Sequence, residues 1–126
     1  MRWIVDGMNV IGCRPDGWWR NRHGAMAALV DHLEQWARRE DAEVTVVFER
    51  PPTPPIESAV VTVAHAPAAA PNSADDEIVR MIRSSEHPEH IQVATSDRGL
   101  AERVRSARAN VFPAARLRDM IDPHPG

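Results

Sequence analysis

Four acidic residues follow or open the apolar segments of this sequence. Asp6, Glu49 and Asp97 each come just after a short β-branched run, and Asp75 opens a helical pattern. The carboxyl ends of parallel strands meet at one edge of a sheet, so these acids are expected to converge there. Clustered carboxylates raise one another's pKa, and a hard, oxygen-preferring cation such as Mg²⁺ or Mn²⁺ relieves their repulsion. The pattern therefore predicts an acidic metal site of the kind that hydrolyses or transfers phosphate esters.

Each acid also has a plainer structural interpretation. A single acid after a strand is commonly a helix cap, and Asp97 could cap a helix that begins at Arg98. Asp75 and its neighbour Asp76 are separated by helical phase, because Asp75 lies on the face whose apolar residues must pack on the sheet. We expect Asp75 to point inward. Asp76 is expected to point outward, where it can cap the helix or pair with Arg80.

The segments that must position these acids alternate between strand and helix patterns. We predict strands at 2–5, 44–48, 59–64, 91–95 and 111–112, with 59–64 nearer the sheet edge. We predict helices at 24–39, at 73–84 with Ser73 as the cap, at 98–107, and at 113–121 behind Pro113. The Asp6-Gly7 dipeptide is interpreted as a turn that opens a loop, and 66–71 as a connecting loop. This order indicates a three-layer α/β fold with an open, mostly parallel sheet of about five strands flanked by helices.

Length and composition limit the alternatives. A chain of 126 residues with 43% hydrophobic and 26% charged residues is expected to form a single domain, 1–126, with an ordinary core. Its apolar runs fall well short of the roughly 20 residues that span a membrane. The apolar start is too short for a signal peptide, so a cytoplasmic protein is expected. The lone Cys13 excludes an internal disulfide and a zinc site built from several thiolates.

Several enzyme classes are excluded by what the sequence lacks. All fifteen basic residues are arginine, so the lysine of a Walker A loop or of a receiver domain is absent. No Gly-x-Gly-x-x-Gly follows the first strand, which excludes a Rossmann dehydrogenase. The same position reads Asp6-Gly7-Met8 rather than Asp-x-Asp, which disfavours a haloacid-type phosphatase.

Aromatic and basic residues are interleaved in the loop after the first strand. Trp18 and Trp19 precede Arg20 and Arg22, a composition that suits base stacking and phosphate contacts with single-stranded nucleic acid. Alternatively, one tryptophan packs into the core and the other shields a helix end. Six arginines between 98 and 118 form either a backbone-tracking stripe or solvated helix faces, and Arg98 is the best placed to approach a phosphate.

One further motif resembles a metal-binding pair in its spacing alone. His87 and His90 flank Pro88 and Glu89, but the proline indicates a loop and no third ligand is evident nearby. The pattern favours a surface loop over a metal site.

Four ordered motifs together resemble the NYN domain family in its YacP-like branch, within the PIN-like nucleases. They are Asp-Gly-Met-Asn-Val-Ile at 6–11, Val-Val-Phe-Glu at 46–49, Ser-Ala-Asp-Asp-Glu-Ile at 73–78 and Ala-Thr-Ser-Asp-Arg at 94–98. The chain departs from the family's pattern at Met8, usually aromatic, at Glu49, usually Asp, and at Arg108, commonly Gly.

The resemblance implies a PIN-like fold and metal-dependent RNA cleavage, in the form of an endoribonuclease using Mg²⁺ or Mn²⁺. It implies catalytic roles for Asp6, Asn9, Asp75 and Asp97, and a metal site of Asp6, Asp75 and Asp97 with Glu49 as a further ligand. Together with the composition of the loop, it predicts RNA contacts from Trp18, Trp19, Arg20, Arg22, Ser96 and Arg98. RNA is the expected partner, and no interaction with a membrane is expected.

The main alternative is a non-catalytic RNA- or protein-binding module on the same fold, which the intact acids argue against. The sequence leaves open which RNA is cut, whether one metal or two are used, and whether the protein is a monomer or a homodimer.

Overall fold

The computed structural model describes residues 1–67 and 72–122 of the chain. Its strands are β1 (Arg2–Asp6), β2 (Glu43–Phe48), β3 (Thr62–His65), β4 (Ile91–Ala94) and β5 (Asn110–Phe112). Its α-helices are α1 (Gly7–Ile11), α2 (Arg22–Glu40), α3 (Ser73–Arg83), α4 (Arg98–Ser106) and α5 (Ala114–Ile121). Two short 3₁₀ turns, Trp18–Arg20 and Pro88–His90, precede α2 and β4.

The five strands form one parallel sheet in the order β3-β2-β1-β4-β5. The chain therefore runs outward from β1 to one edge, returns past it, and runs out to the other edge. The direction reverses between β1 and β4, and at such a switch point the loops leave in opposite directions and open a crevice. Val5 is in register with Ala94, so the residues that follow each of them are neighbours at the carboxyl edge.

Alternation along β1 divides the core into two layers. Trp3 and Val5 face a cluster built with α1, α2 and α5, where Trp3 makes edge-on contacts with Trp36 and Phe112 at 5.1 Å between ring centroids. Ile4 faces the opposite cluster, which is built with α3 and α4. Apolar side chains thus cover both faces of β1, the central strand. The predicted three-layer α/β architecture is confirmed.

The segment after β1 is a helix rather than the predicted loop. Gly7 begins α1, and a Cβ at this position would lie 2.5 Å from Cε1 of Phe48. The glycine is therefore needed for close packing of α1 on β2, and the Asp6-Gly7 pair is not a turn. A five-residue helix is too short to show a periodicity in sequence, and it depends on burial of Val10 and Ile11 for stability.

Two further features differ from the expectations. The Ser58 hydroxyl accepts hydrogen bonds from the amides of Val60 and Val61, and β3 begins only at Thr62. Asn72, in the left-handed region with φ of 63°, precedes α3, so Ser73 is the buried first residue of that helix and not its cap. Part of the predicted 66–71 loop lies outside the described residues.

Arg108 has a backbone conformation that suits glycine. Its φ is 70°, in the left-handed region that L-residues other than Asn and Asp seldom adopt. The position turns the chain between α4 and β5. This geometry gives a physical reason for the glycine that the family pattern commonly has there.

No helix in the described part of the chain combines the length and apolarity needed to cross a membrane.

Candidate active site at the carboxyl edge of the sheet

Asp6 is the last residue of β1 and is buried beside the end of β4. Only 7% of the residue is exposed, and its Oδ2 accepts a hydrogen bond from the Thr95 hydroxyl at 2.9 Å. Burial, together with the charges of Asp75, Asp97 and Glu49 and against the lowering effect of the Thr95 hydrogen bond, raises the pKa of Asp6 from 3.8 to about 6. The protein therefore holds a carboxylate in a place where its charge is poorly compensated.

The β4–α4 loop is fixed to the rest of the fold by its own polar side chains. The Thr95 hydroxyl that donates to Asp6 also accepts from the Asp97 amide at 3.1 Å. Asn9 Oδ1 accepts from the Ser96 amide at 2.8 Å, and Ser96 Oγ accepts from the Ala114 amide at 3.0 Å. These bonds tie the loop to β1, α1 and α5. Asn9 and Ser96 thus orient the loop, whatever contacts they also make with a substrate.

The position of Asp97 allows both roles considered for it, helix cap and metal ligand. Its Oδ1 accepts from the Leu100 amide at 2.9 Å, so Asp97 is the N-cap of α4. Its Oδ2 accepts no hydrogen bond from the described residues. One carboxylate oxygen is therefore used by the helix, and the other remains for a cation or a water.

Asp75 reaches the same region from the first turn of α3. It is half-buried, and burial followed by the charge of Asp97 raises its pKa, with smaller contributions from Asp76 and Glu49. Arg103 acts in the opposite direction and lowers it. Glu49, exposed at the end of β2, thus acts on both Asp6 and Asp75. Asp97 likewise raises the pKa of both Asp6 and Asp75.

Asp76 points outward, as the helical phase predicts, but its ion-pair partner is not the residue suggested by the sequence. Asp76 Oδ1 pairs with Arg103 at 2.9 Å, across to α4. Arg80, the partner proposed from sequence, instead pairs with Glu77 one turn away. Buried Glu77 accepts from Arg80 Nε at 2.9 Å, three residues away on the same helix, while exposed Asp76 is taken up by Arg103. The Asp76–Arg80 pair is wrong.

The donor set fits a hard divalent cation. It consists of carboxylate oxygens, with the Thr95 hydroxyl beside that of Asp6. No three of these acids have carboxylate oxygens within 4.8 Å of one another among the described residues. Three of them would therefore have to move before they could all bind one ion directly, and Mg²⁺ commonly uses one or two carboxylates and retains several waters.

A groove beside the acids brings one of the predicted RNA contacts to the site. It measures about 440 Å³, and Met8, Arg22, Glu49 and Arg50 contribute to its wall. Arg50 was not identified from sequence, because a single arginine in a proline-rich segment carries no pattern. Thr95 was also missed, since it looks like one more β-branched residue of β4.

Trp18 and Trp19 differ in burial, which agrees with the part of the alternative interpretation in which one tryptophan packs against the core. Trp18 is half-buried against the core, with the Arg22 guanidinium 5.4 Å above its ring, whereas Trp19 is 49% exposed. Arg20 and Arg98 are also exposed. Trp19, Arg20 and Arg98 are therefore available for contacts with a ligand, while Trp18 supports the position of Arg22.

Replacing Asp6 with asparagine is expected to stabilise the metal-free protein at neutral pH. Because the pKa of Asp6 is about 6 folded and 3.8 unfolded, the folded state binds more protons between these values, and stability falls as pH rises through this window. Above it, the uncompensated charge costs about 2–3 kcal/mol, which asparagine removes while still accepting from Thr95. Thermal unfolding in a chelator should show Asp6→Asn more stable at pH 7.5 and level with the parent near pH 4. An advantage that does not depend on pH would contradict this.

Comparison with known proteins identifies the family to which this chain belongs. The model of the YacP-like NYN domain matches residues 3–125. Two crystal structures of Rae1 (YacP) from Bacillus subtilis, one of a tryptophan-to-leucine mutant, superpose with TM-scores of 0.78 at 23% and 22% identity. The similarity covers 94–95% of this chain and 73–74% of those chains, and it shows a common fold. No curated protein is similar enough to this chain to count as a match. The family predicted from the four motifs is confirmed: the chain belongs to the YacP-like NYN domain family.

Proposed function

We propose that this protein is a metal-dependent endoribonuclease that hydrolyses RNA phosphodiester bonds at the carboxyl edge of its sheet. The observation that carries the proposal is the burial of the Asp6 carboxylate at the sheet edge, where the neutral Thr95 hydroxyl donates to it and the charges of Asp75, Asp97 and Glu49 repel it. A protein that needs only to fold has no use for such an arrangement, since asparagine would remove its cost. A bound divalent cation would compensate the negative charge of Asp6, so a metal site explains the arrangement.

The acids have separate tasks in this proposal. Asp6 and Asp75 would hold the cation from the buried side, while Asp97 would contribute its uncapped Oδ2, and Glu49 would act directly or through water. Magnesium or manganese bound there would activate a water for attack on phosphorus and neutralise charge on the phosphate oxygens. Thr95 orients Asp6 by donating to Oδ2, and Asn9 holds the β4–α4 loop in place. These residues act by position, because the hydrogen bonds are already formed in the free protein.

Single-stranded RNA suits the surroundings of these acids. Asp97 and Glu49 are exposed, so the edge is open and a strand can cross it without an end being threaded. The groove beside Glu49 carries Arg22 and Arg50 for phosphates, and Trp19 offers an exposed ring for stacking. An internal bond can therefore reach the acids, as endonucleolytic cleavage requires.

A non-catalytic RNA- or protein-binding module is the second candidate, favoured by the wide spacing of the acids and by the capping role of Asp97. Metal binding separates the two. A ligand that binds only the folded state stabilises it by RT ln(1 + [L]/Kd), so 10 mM Mg²⁺ should raise the melting temperature of the parent and not of Asp6→Asn. Equal shifts in the two proteins would favour the binding module.

Replacing Arg20 and Arg22 together with alanine is expected to weaken RNA binding to a similar extent for all sequences. Phosphate contacts act through counterion release, so the slope of log K against log salt should become shallower by one to two units. The cleavage rate at saturating RNA should survive. The matched control is Arg38→Ala with Arg39→Ala, at the other end of α2 and about 24 Å away along the helix. An unchanged slope in the first variant, or an equal change in the control, would place Arg20 and Arg22 away from the RNA.

A further inference from the structure

The 3₁₀ turn before β4 gathers a second set of metal-binding groups, at the opposite edge of the sheet. His87, Glu89 and His90 each present a donor atom, and these atoms all lie within 4.8 Å of one another. His87 Nδ1 is 3.1 Å from Glu89 Oε1, and the two imidazole rings stack at 5.3 Å between centroids. Glu89, which lies between the two histidines in sequence, is the third donor of this group.

The turn is held in this conformation by contacts other than the ligand side chains. The His90 amide donates to the His87 carbonyl at 3.0 Å, and Pro88 fixes φ at the first position of the turn. Asn110 Nδ2, at the start of β5, donates to the Glu89 carbonyl at 2.9 Å. The backbone that carries the three donors is therefore anchored to the sheet before any ion arrives, which reduces the conformational cost of binding.

A depression lies beside two of the three donors. His87 and His90 line it, with a volume of about 630 Å³, together with Asp41, Glu43 and Arg2. It is open to water, which could serve as a fourth ligand. Arg2 and Asp6 are the two ends of β1, about 13 Å apart. This cluster is therefore separate from the acidic site and does not depend on what that site does.

We propose that His87, Glu89 and His90 form a binding site for zinc or another late first-row divalent cation. Two imidazoles and one carboxylate are a ligand set that zinc accepts and that magnesium, which prefers oxygen, does not favour. Tetrahedral ligands at 2.0–2.1 Å from zinc lie about 3.3 Å from one another, so small rotations of exposed side chains complete the site. The bound ion would fix the turn against the start of β4. It would be a different metal from the one proposed for the acidic site.

Calorimetric titration with zinc chloride tests this site in the full chain. Excess Mg²⁺ in the buffer keeps the acidic edge from competing. The parent should bind one zinc equivalent at the turn, and His90→Ala and Glu89→Gln should each weaken that binding at least about tenfold. Glu86→Gln, an exposed acid just before the turn, is the matched control for Glu89→Gln and should bind zinc as the parent does.

Three results would overturn the proposal. They are unchanged zinc affinity in His90→Ala, equal losses in Glu86→Gln and Glu89→Gln, and loss of the zinc equivalent in Asp97→Asn. The last would assign the ion to the acidic edge. Because the readout is zinc binding, failure of the turn site leaves the proposed ribonuclease activity untouched, and failure of that activity leaves the turn site untouched.

Discussion

Replacing Asp97 with asparagine is expected to abolish metal-dependent RNA cleavage, or to lower its rate at least about 100-fold, while the fold is retained. The substitution removes the negative charge that a cation requires, and a 100-fold loss corresponds to about 3 kcal/mol of barrier. Asparagine is as good an N-cap as aspartate, so its side-chain oxygen can still accept from the Leu100 amide. Initial rates on a labelled RNA at saturating Mg²⁺ give the effect.

Two comparisons make the Asp97 result interpretable. Thermal unfolding of the variant should stay within a few degrees of the parent, which excludes a folding defect. Glu102→Gln, an exposed acid in the same helix, should cleave RNA at the parent rate. Wild-type activity in Asp97→Asn would mean that Asp97 is only a cap and that the acidic site is wrongly assigned.

Asp75→Asn is expected to lower the cleavage rate by about 100-fold or more, whereas Asp76→Asn should cost less than about tenfold. The two acids are adjacent in sequence and differ mainly in direction. Asp75 is half-buried, and its pKa is raised by burial and by Asp97, whereas Asp76 is exposed and pairs with Arg103. The exposed pair contributes little to stability, so Asp76→Asn serves as the matched control.

This comparison requires saturating metal, so that weaker metal affinity is not mistaken for lost chemistry. Equal losses in the two variants would mean that both acids reach the cation. A larger loss in Asp76→Asn would show that the acids have been assigned in the wrong order.

The main elements of the fold could be predicted because their signals are local and strong. Four β-branched residues and a phenylalanine run without a break from Val44 to Phe48, a sequence typical of a strand covered on both faces. Helix α1 could not be predicted, because five residues show no period and its stability comes from burial against β2, α2 and α5. The late start of β3 depends on the Ser58 hydroxyl, a local competitor that propensity does not register.

The candidate site divides along similar lines. Asp6 and Asp97 were found because the ends of parallel strands must meet, a rule that needs only strand positions. Thr95 and Arg50 escaped notice, since their roles depend on which side chains the folded chain brings beside them. The partner of Asp76 was wrong for the same reason: the sequence offers Arg80 one turn away, but Arg103 reaches it from another helix. Pairs across elements require the packing, which helical phase alone does not give.

Cleavage of a labelled single-stranded RNA is the most direct test of the central claim, that the acids at the carboxyl edge hold a metal which cuts RNA. The assay compares the parent with Asp6→Asn, each with Mg²⁺ or Mn²⁺ and with a chelator. Cleavage by the parent is expected only with metal and at internal bonds, and none is expected by Asp6→Asn, even though that variant folds and binds RNA. Equal cleavage in the chelator, or by Asp6→Asn with metal, would contradict it, as would RNA binding by the parent without cleavage under either metal.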